Sequence, residues 1–178
     1  MIRTSLTPMN NQIFRFAGEP LSGRDRHKAG LTLLEKLYRE AVGQPLPAIS
    51  RAPGGKPYFV GNPLYFSISH SKNHVFCALS RVPVGIDAEE SDRRLNPGLA
   101  DRILSPDEKI RWQAEADQRT ALLKFWVLKE AAAKLSGEGL HGYPNHTDFS
   151  PDDPRVCTHS GCLVAILTKN DKESFHAV

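Results

Sequence analysis

The stretch Phe125-Trp126-Val127-Leu128-Lys129-Glu130-Ala131-Ala132-Ala133-Lys134 constrains this fold more than any other part of the chain. Residues 120–135 read as one long helix, stopped near Gly137 and Gly139. Four successive apolar residues just ahead of Lys129 and Glu130 wrap more than one helix face. A helix apolar on several faces is buried, so its charges must emerge from a packed core. Such a helix needs a sheet or other helices around it. A chain of 178 residues with 40% apolar content can supply them.

The remaining pattern supplies strands. Gln12-Ile13-Phe14-Arg15-Phe16 reads as one, and 65–69 and 74–80 read as two more joined by a short polar turn. Residues 83–87 predict another, and the tail a further pair ending in Cys162-Leu163-Val164-Ala165-Ile166-Leu167. From Gly23 to Val42 the period turns helical, through Leu31, Leu34, Leu37, Tyr38 and Val42, with Gly43 as the stop. The Pro- and Gly-rich segment 44–63 reads as loop and turns. Ser105-Pro106-Asp107-Glu108 carries the marks of a helix N-terminus. Each half therefore runs helix, loop, paired strands, and His70-Ser71 is loosely echoed by His159-Ser160. The expectation is an α+β fold of two similar halves, residues 1–85 and 86–178. Each would be a helix on a small antiparallel sheet, the two related by a pseudo-twofold axis.

Charge narrows the function classes. A net charge of +3 and a pI near 8.8 suit a polyanionic ligand or an acidic protein partner. The dispersed Lys and Arg residues carry no nucleic-acid-binding signature. Cys77, Cys157 and Cys162 form neither a disulfide framework nor a zinc-binding spacing, and read as buried, inert thiols. No signal pattern opens the chain and no apolar run approaches about 18 residues. The expectation is a cytoplasmic protein without a membrane span.

Asp87 and Glu89 sit two apart, so a strand aims both the same way. Two such carboxylates repel unless they share a cation or a proton. Oxygen-only ligands favour Mg²⁺ or Mn²⁺, although on spacing alone a solvent-facing strand end is the commoner outcome. Glu130 and Lys134 lie four apart on the long helix. As a surface ion pair they would contribute only about 0.3–0.5 kcal/mol, but their helix must be buried. Ser69-His70-Ser71 closes one strand with two hydroxyls, an imidazole and turn amides, which can together hold a phosphate or simply make a turn. Gly54-Gly55-Lys56-Pro57 offers a flexible backbone and one cation. Arg24, Arg26, His27 and Lys28 crowd a helix start, where the dipole disfavours cations and a bound anion would relieve the conflict.

Taken in order, Gly55-Lys56-Pro57, Ser69-His70-Ser71, Gly85-Ile86-Asp87-Ala88-Glu89 and Trp126-x-x-Lys129-Glu130-Ala131-x-x-Lys134 resemble the 4′-phosphopantetheinyl transferases, of the single-chain, two-half type. Gly137-Glu138-Gly139-Leu140 is similar to the turn that follows the family's lysine helix. The resemblance spans about residues 22 to 167. It implies transfer of the phosphopantetheine arm of coenzyme A to a serine of an apo acyl or peptidyl carrier protein, with release of adenosine 3′,5′-bisphosphate. By the same resemblance Asp87, Glu89 and Glu130 would bind Mg²⁺. Lys129 and Lys134 would neutralise the transferred phosphoryl group. Arg26, Lys28, Lys56, Pro57, Ser69 and His70 would hold the nucleotide end of the coenzyme, and Glu108 would be the general base toward the incoming serine. Arg102, Lys109 and Arg111, around Ile110 and Trp112, suit an acidic carrier. A monomer acting in fatty-acid or polyketide synthesis is implied. The rival classes are a non-catalytic module that binds coenzyme A or a carrier, and a metal-dependent phosphohydrolase using the same acids.

Overall fold

Two three-stranded antiparallel sheets carry the chain, and a long helix packs on one face of each. The computed structural model describes residues 13–21, 23, 25–137 and 147–169. The first sheet has the order β1-β5-β4, from Ile13–Pro20, His74–Ser80 and Tyr65–His70. The second has the order β6-β8-β7, from Val84–Glu90, Cys162–Thr168 and Val156–His159. In both, a strand leads to a long helix, and the last of the following two strands enters the middle.

Strand periodicity sets the layers. Val75, Cys77 and Leu79 of β5 face α1 (Arg26–Val42), where they meet Leu33, Leu34, Leu37 and Tyr38. Phe76 and Ala78 face the other way, into a core between the sheets made with Val84, Ile86, Ala88, Val164 and Ile166. Ala165 and Leu167 of β8 pack on α4 (Gln118–Ser136) against Phe125, Leu128 and Ala131. The four layers therefore run helix, sheet, sheet, helix, and α4 is apolar on so much of its circumference because Ala100, Ile103, Leu104 and Phe149 cover it beyond the sheet.

The helix ends follow their capping chemistry. Asp25 caps α1 by accepting from the Lys28 amide, so the helix starts at Arg26 rather than at Gly23. Gly43 and Gly137 end α1 and α4 in the left-handed conformation, at φ 73° and 78°. After the short α2 (Ala100–Ile103), Ser105 and Glu108 form a reciprocal capping box at α3 (Pro106–Ala114). The strand expected over 83–87 extends to Glu90, paired throughout with β8. Residues 138–140, part of the turn expected after α4, lie outside the described residues, as does Arg24.

The segment 44–63 corrects its expectation as loop. It contains a two-stranded ladder, β2 (Ile49–Arg51) with β3 (Pro57–Phe59). Its anchor is Phe59, whose ring lies 5.3 Å from Tyr38 and 4.5 Å from Phe66. One buried aromatic outweighs the turn signals around it.

Gly85 makes the approach of α4 to β6 possible. A Cβ there would lie 2.0 Å from the Ala131 carbonyl oxygen and 2.6 Å from the Leu135 amide. Both obstacles are backbone, so the helix itself would have to move. Gly85→Ala is expected to cost about 1–3 kcal/mol by overpacking and to lower the thermal midpoint. An unchanged midpoint would mean that α4 can back away from β6 freely.

Candidate active site

The acids reach the site through strand alternation. Val84, Ile86 and Ala88 fill the core between the sheets, leaving Asp87 and Glu89 on the face of β6 toward α4. Asp87 Oδ1 accepts hydrogen bonds from Lys134 Nζ at 2.7 Å and from Ser69 Oγ at 2.8 Å. Lys134 Nζ also reaches Ser69 Oγ at 3.0 Å, so a carboxylate, an ammonium and a hydroxyl close a triangle across two strands and a helix. Asp87 is buried, and its Oδ2 has no hydrogen-bond partner among the described residues. An orphaned buried carboxylate oxygen is costly unless something occupies it.

Two serines of β4 lock this arrangement. The edges of β4 and β6 meet without a backbone ladder. Instead the Ile86 and Ala88 amides donate to Ser67 Oγ at 3.1 Å and Ser69 Oγ at 3.2 Å. Their spacing of two in β4 matches the spacing of the amides they serve. Ser67 was not among the expected site residues, although its alternation with Ser69 is a sequence signal.

Burial, then the nearby Asp87 charge, hold the Glu130 carboxyl above its ordinary range, with Lys134 and Arg93 partly offsetting them. The folded state thus binds the Glu130 proton more tightly than the unfolded chain. Its contribution to stability is full below the ordinary glutamate value and is lost as pH rises through the raised one. Glu130→Gln is expected to remove that slope. Urea unfolding of both proteins across the acid range checks it: the stability difference must grow against wild type with rising pH. Glu89 pairs with Arg93 one helical turn's length along, and Arg93 lies 6.0 Å from the centre of the Trp126 ring. Arg93 is a second residue that the motif pattern did not single out.

The other expected residues are held elsewhere. Glu108 is fully buried, with its oxygens accepting from the Phe149 and Ser105 amides at 2.8 Å and from Lys129 Nζ at 2.6 Å. Lys129 is likewise sealed in, 5.7 Å from the Phe149 ring centre. Both are drawn into the core beneath α3 and away from the Asp87 cluster. The expected general base and one of the two expected phosphate-facing lysines are thus paired with each other rather than with Asp87. Lys56 Nζ donates to the Leu135 carbonyl at 2.6 Å, satisfying the end of α4, and burial lowers its pKa. It too is spent on structure here rather than directed outward, while Pro57 opposes Arg51 in the β2–β3 ladder.

His70 Nε2 lies 2.7 Å from the Arg26 carbonyl, tying β4 to the start of α1, and burial foremost holds its pKa down. Arg26 and Lys28 are exposed. Arg26 lines a cavity of about 430 Å³ together with Lys72, His74, Asn73 and Leu21. Lys72 and His74 sit in the turn after Ser69-His70-Ser71 and were not expected in the site.

The site residues fit a hard divalent cation. Asp87 supplies an unoccupied buried oxygen, and Glu130 a carboxyl whose proton Asp87 makes harder to lose. A cation beside them would relieve both conditions. Asp87 pairs with Lys134, and Glu89 with Arg93.

Residues 83–176, more than half of the chain, match the family model of the 4′-phosphopantetheinyl transferase superfamily. The chain is 39% identical over 92 residues to a 4′-phosphopantetheinyl transferase of Bacillus subtilis, covering 48% of this chain and 39% of that protein. It is 30% identical over 125 residues to the 4′-phosphopantetheinyl transferase psf-1 of Bacillus pumilus, covering 69% and 49%. A holo-[acyl-carrier-protein] synthase of Thiobacillus denitrificans is 31% identical over 114 residues, covering 52% of this chain and 86% of that protein. The chain thus spans about half or less of the length of the first two relatives. Among the described residues no helix is long and apolar enough to cross a membrane.

Proposed function

The chain belongs to the 4′-phosphopantetheinyl transferase superfamily, and on that premise we propose that it moves the phosphopantetheine arm of coenzyme A onto a serine of an apo acyl or peptidyl carrier protein. The observation that carries this reading is the Asp87–Ser69–Lys134 triangle beside a raised Glu130, with one carboxylate oxygen left unpartnered. Phosphoryl transfer asks chiefly for positioning and charge neutralisation, and the triangle offers both.

Asp87, Glu89 and Glu130 would hold Mg²⁺, which polarises the pyrophosphate and stabilises the leaving phosphate when bound. Lys134, whose side chain is 30% exposed, can leave Asp87 to face an incoming phosphoryl oxygen. The cavity beside Arg26 and Lys72 has the charge for the nucleotide end of the coenzyme. Glu108, which the resemblance implies as the base toward the serine, is sealed against Lys129, so it takes that role only if this pair opens toward the incoming carrier. The serine oxygen forms a bond to the pantetheine-bearing phosphorus. The phosphoanhydride bond breaks, and adenosine 3′,5′-bisphosphate departs with its electron pair.

The shared connectivity of the two sheets supports reading residues 1–85 and 86–178 as pseudo-twofold-related halves of one monomer. The test is intact mass spectrometry of apo acyl and peptidyl carrier proteins incubated with the protein, coenzyme A and Mg²⁺. A gain of one phosphopantetheine arm, abolished by EDTA, is the expected result. Coenzyme bound but never transferred would favour a binding module. Coenzyme cleaved without a carrier would favour a phosphohydrolase.

A further inference from the structure

We propose that His74, Glu90 and Cys162 form a second metal site, one that takes Zn²⁺ or a similar borderline divalent ion and ties the two sheets together. His74 opens β5 in the first sheet, while Glu90 ends β6 and Cys162 begins β8 in the second. His74 Nδ1 lies 3.2 Å from Glu90 Oε1 and 3.5 Å from Cys162 Sγ, and Cys162 Sγ lies 3.4 Å from Glu90 Oε2. The three residues' ligand atoms all fall within 4.8 Å of one another. Zinc bonds of about 2.0–2.3 Å at tetrahedral angles separate ligand atoms by about 3.4–3.6 Å. The Cys162 Sγ separations from His74 Nδ1 and Glu90 Oε2 match two edges of that tetrahedron, and all three ligand atoms stay within 4.8 Å of one another.

The chemistry of the donors selects the ion. A thiolate, an imidazole and a carboxylate suit zinc, whereas Mg²⁺ prefers oxygen alone. Ser71 Oγ and the Asn73 amide both donate to Glu90 Oε1 at 2.9 Å, which orients the carboxylate and leaves Oε2 for the ion. Cys162 is fully buried, and burial, with Glu90 close by, pushes its thiol up to about 11. Binding forms the metal–sulfur bond, breaks the S–H bond and releases the proton to solvent. His74 also lines the cavity with Arg26 and Lys72, which provides an entry path and a fourth position for water.

The site is separate from the acids of the proposed transferase. Glu89 faces α4 with Asp87, and Glu90, one residue on, faces the opposite side of β6. The proposal stands whether or not the chain transfers phosphopantetheine.

The test is titration of the metal-depleted full chain with Zn²⁺ against a chromophoric chelator, followed by Co²⁺ substitution. The expected result is one Zn²⁺ per chain at micromolar or tighter affinity, a thiolate-to-cobalt charge-transfer band and a raised thermal midpoint. Cys162→Ser must abolish the band. His74→Asn, at a position with an 18% exposed side chain, must weaken zinc binding at least about tenfold. Asp87→Asn must leave both intact. No zinc binding by the wild type, binding indifferent to both Cys162→Ser and His74→Asn, or binding lost in Asp87→Asn would each overturn the site.

Discussion

Glu108→Gln is expected to destabilise the protein by about 3–5 kcal/mol, because it removes one charge of a fully buried ion pair. At about 2–4 °C per kcal/mol for a chain of this size, the thermal midpoint falls by on the order of 10 °C. The geometry behind this is a 2.6 Å ion pair whose side chains are 2% and 0% exposed. Removing both charges is a different experiment. Glu108→Leu with Lys129→Met exchanges the pair for apolar volume, and stability should recover much of the loss, since the desolvation cost of both ions also disappears. The Phe149 and Ser105 amides would still lose an acceptor, so recovery is partial. Thermal and urea melts of the two single variants and the double variant give the coupling directly. A Glu108→Gln protein that melts like wild type but no longer modifies a carrier would support Glu108 as the general base.

Asp87→Ala is expected to show the opposite balance: transfer falls by at least about 10²–10³-fold, while stability falls less than in Glu108→Gln because an orphaned buried oxygen disappears with the carboxylate. Lys134 is partly exposed and can turn to water when Asp87 is lost, which Lys129 cannot do in its own setting. The variant should also let the Glu130 carboxyl fall back toward its ordinary range, since Asp87 is one of the two causes that raise it. Initial rates of carrier modification across the acid range read both effects at once. Wild-type turnover by Asp87→Ala would remove the proposed cation site and the mechanism built on it.

Much of the site was legible because its geometry is local. A spacing of two places Asp87 and Glu89 on one strand face, and a spacing of four stacks Glu130 and Lys134 on one helix face. The capping box at Ser105 and Glu108 likewise closes within one turn. The same reasoning could have separated the two lysines. Five residues of helix at about 100° each place Lys129 and Lys134 about 140° apart around α4. The structure uses that separation to seat Lys129 on Glu108 and Lys134 on Asp87. The short hairpin at Ile49–Phe59 was hidden by the turn residues around it, and the role of Lys56 at the end of α4 by a partner 79 residues away.

The sequence by itself determined the long helices and the strands of the two larger sheets, the capping box at Ser105 and Glu108, the face shared by the acids and the buried character of the lysine helix. Each of these follows from bonds and side-chain periods within a few residues. Only the tertiary structure decided which charge meets which. It paired Lys129 with Glu108 in the core and Lys134 with Asp87 and Ser69 at the seam. It also brought His74, Glu90 and Cys162 together from strands separated by up to 88 residues. Those pairings depend on how two sheets and two helices stack, and a buried charge takes as its partner whatever the stacking brings within hydrogen-bond reach.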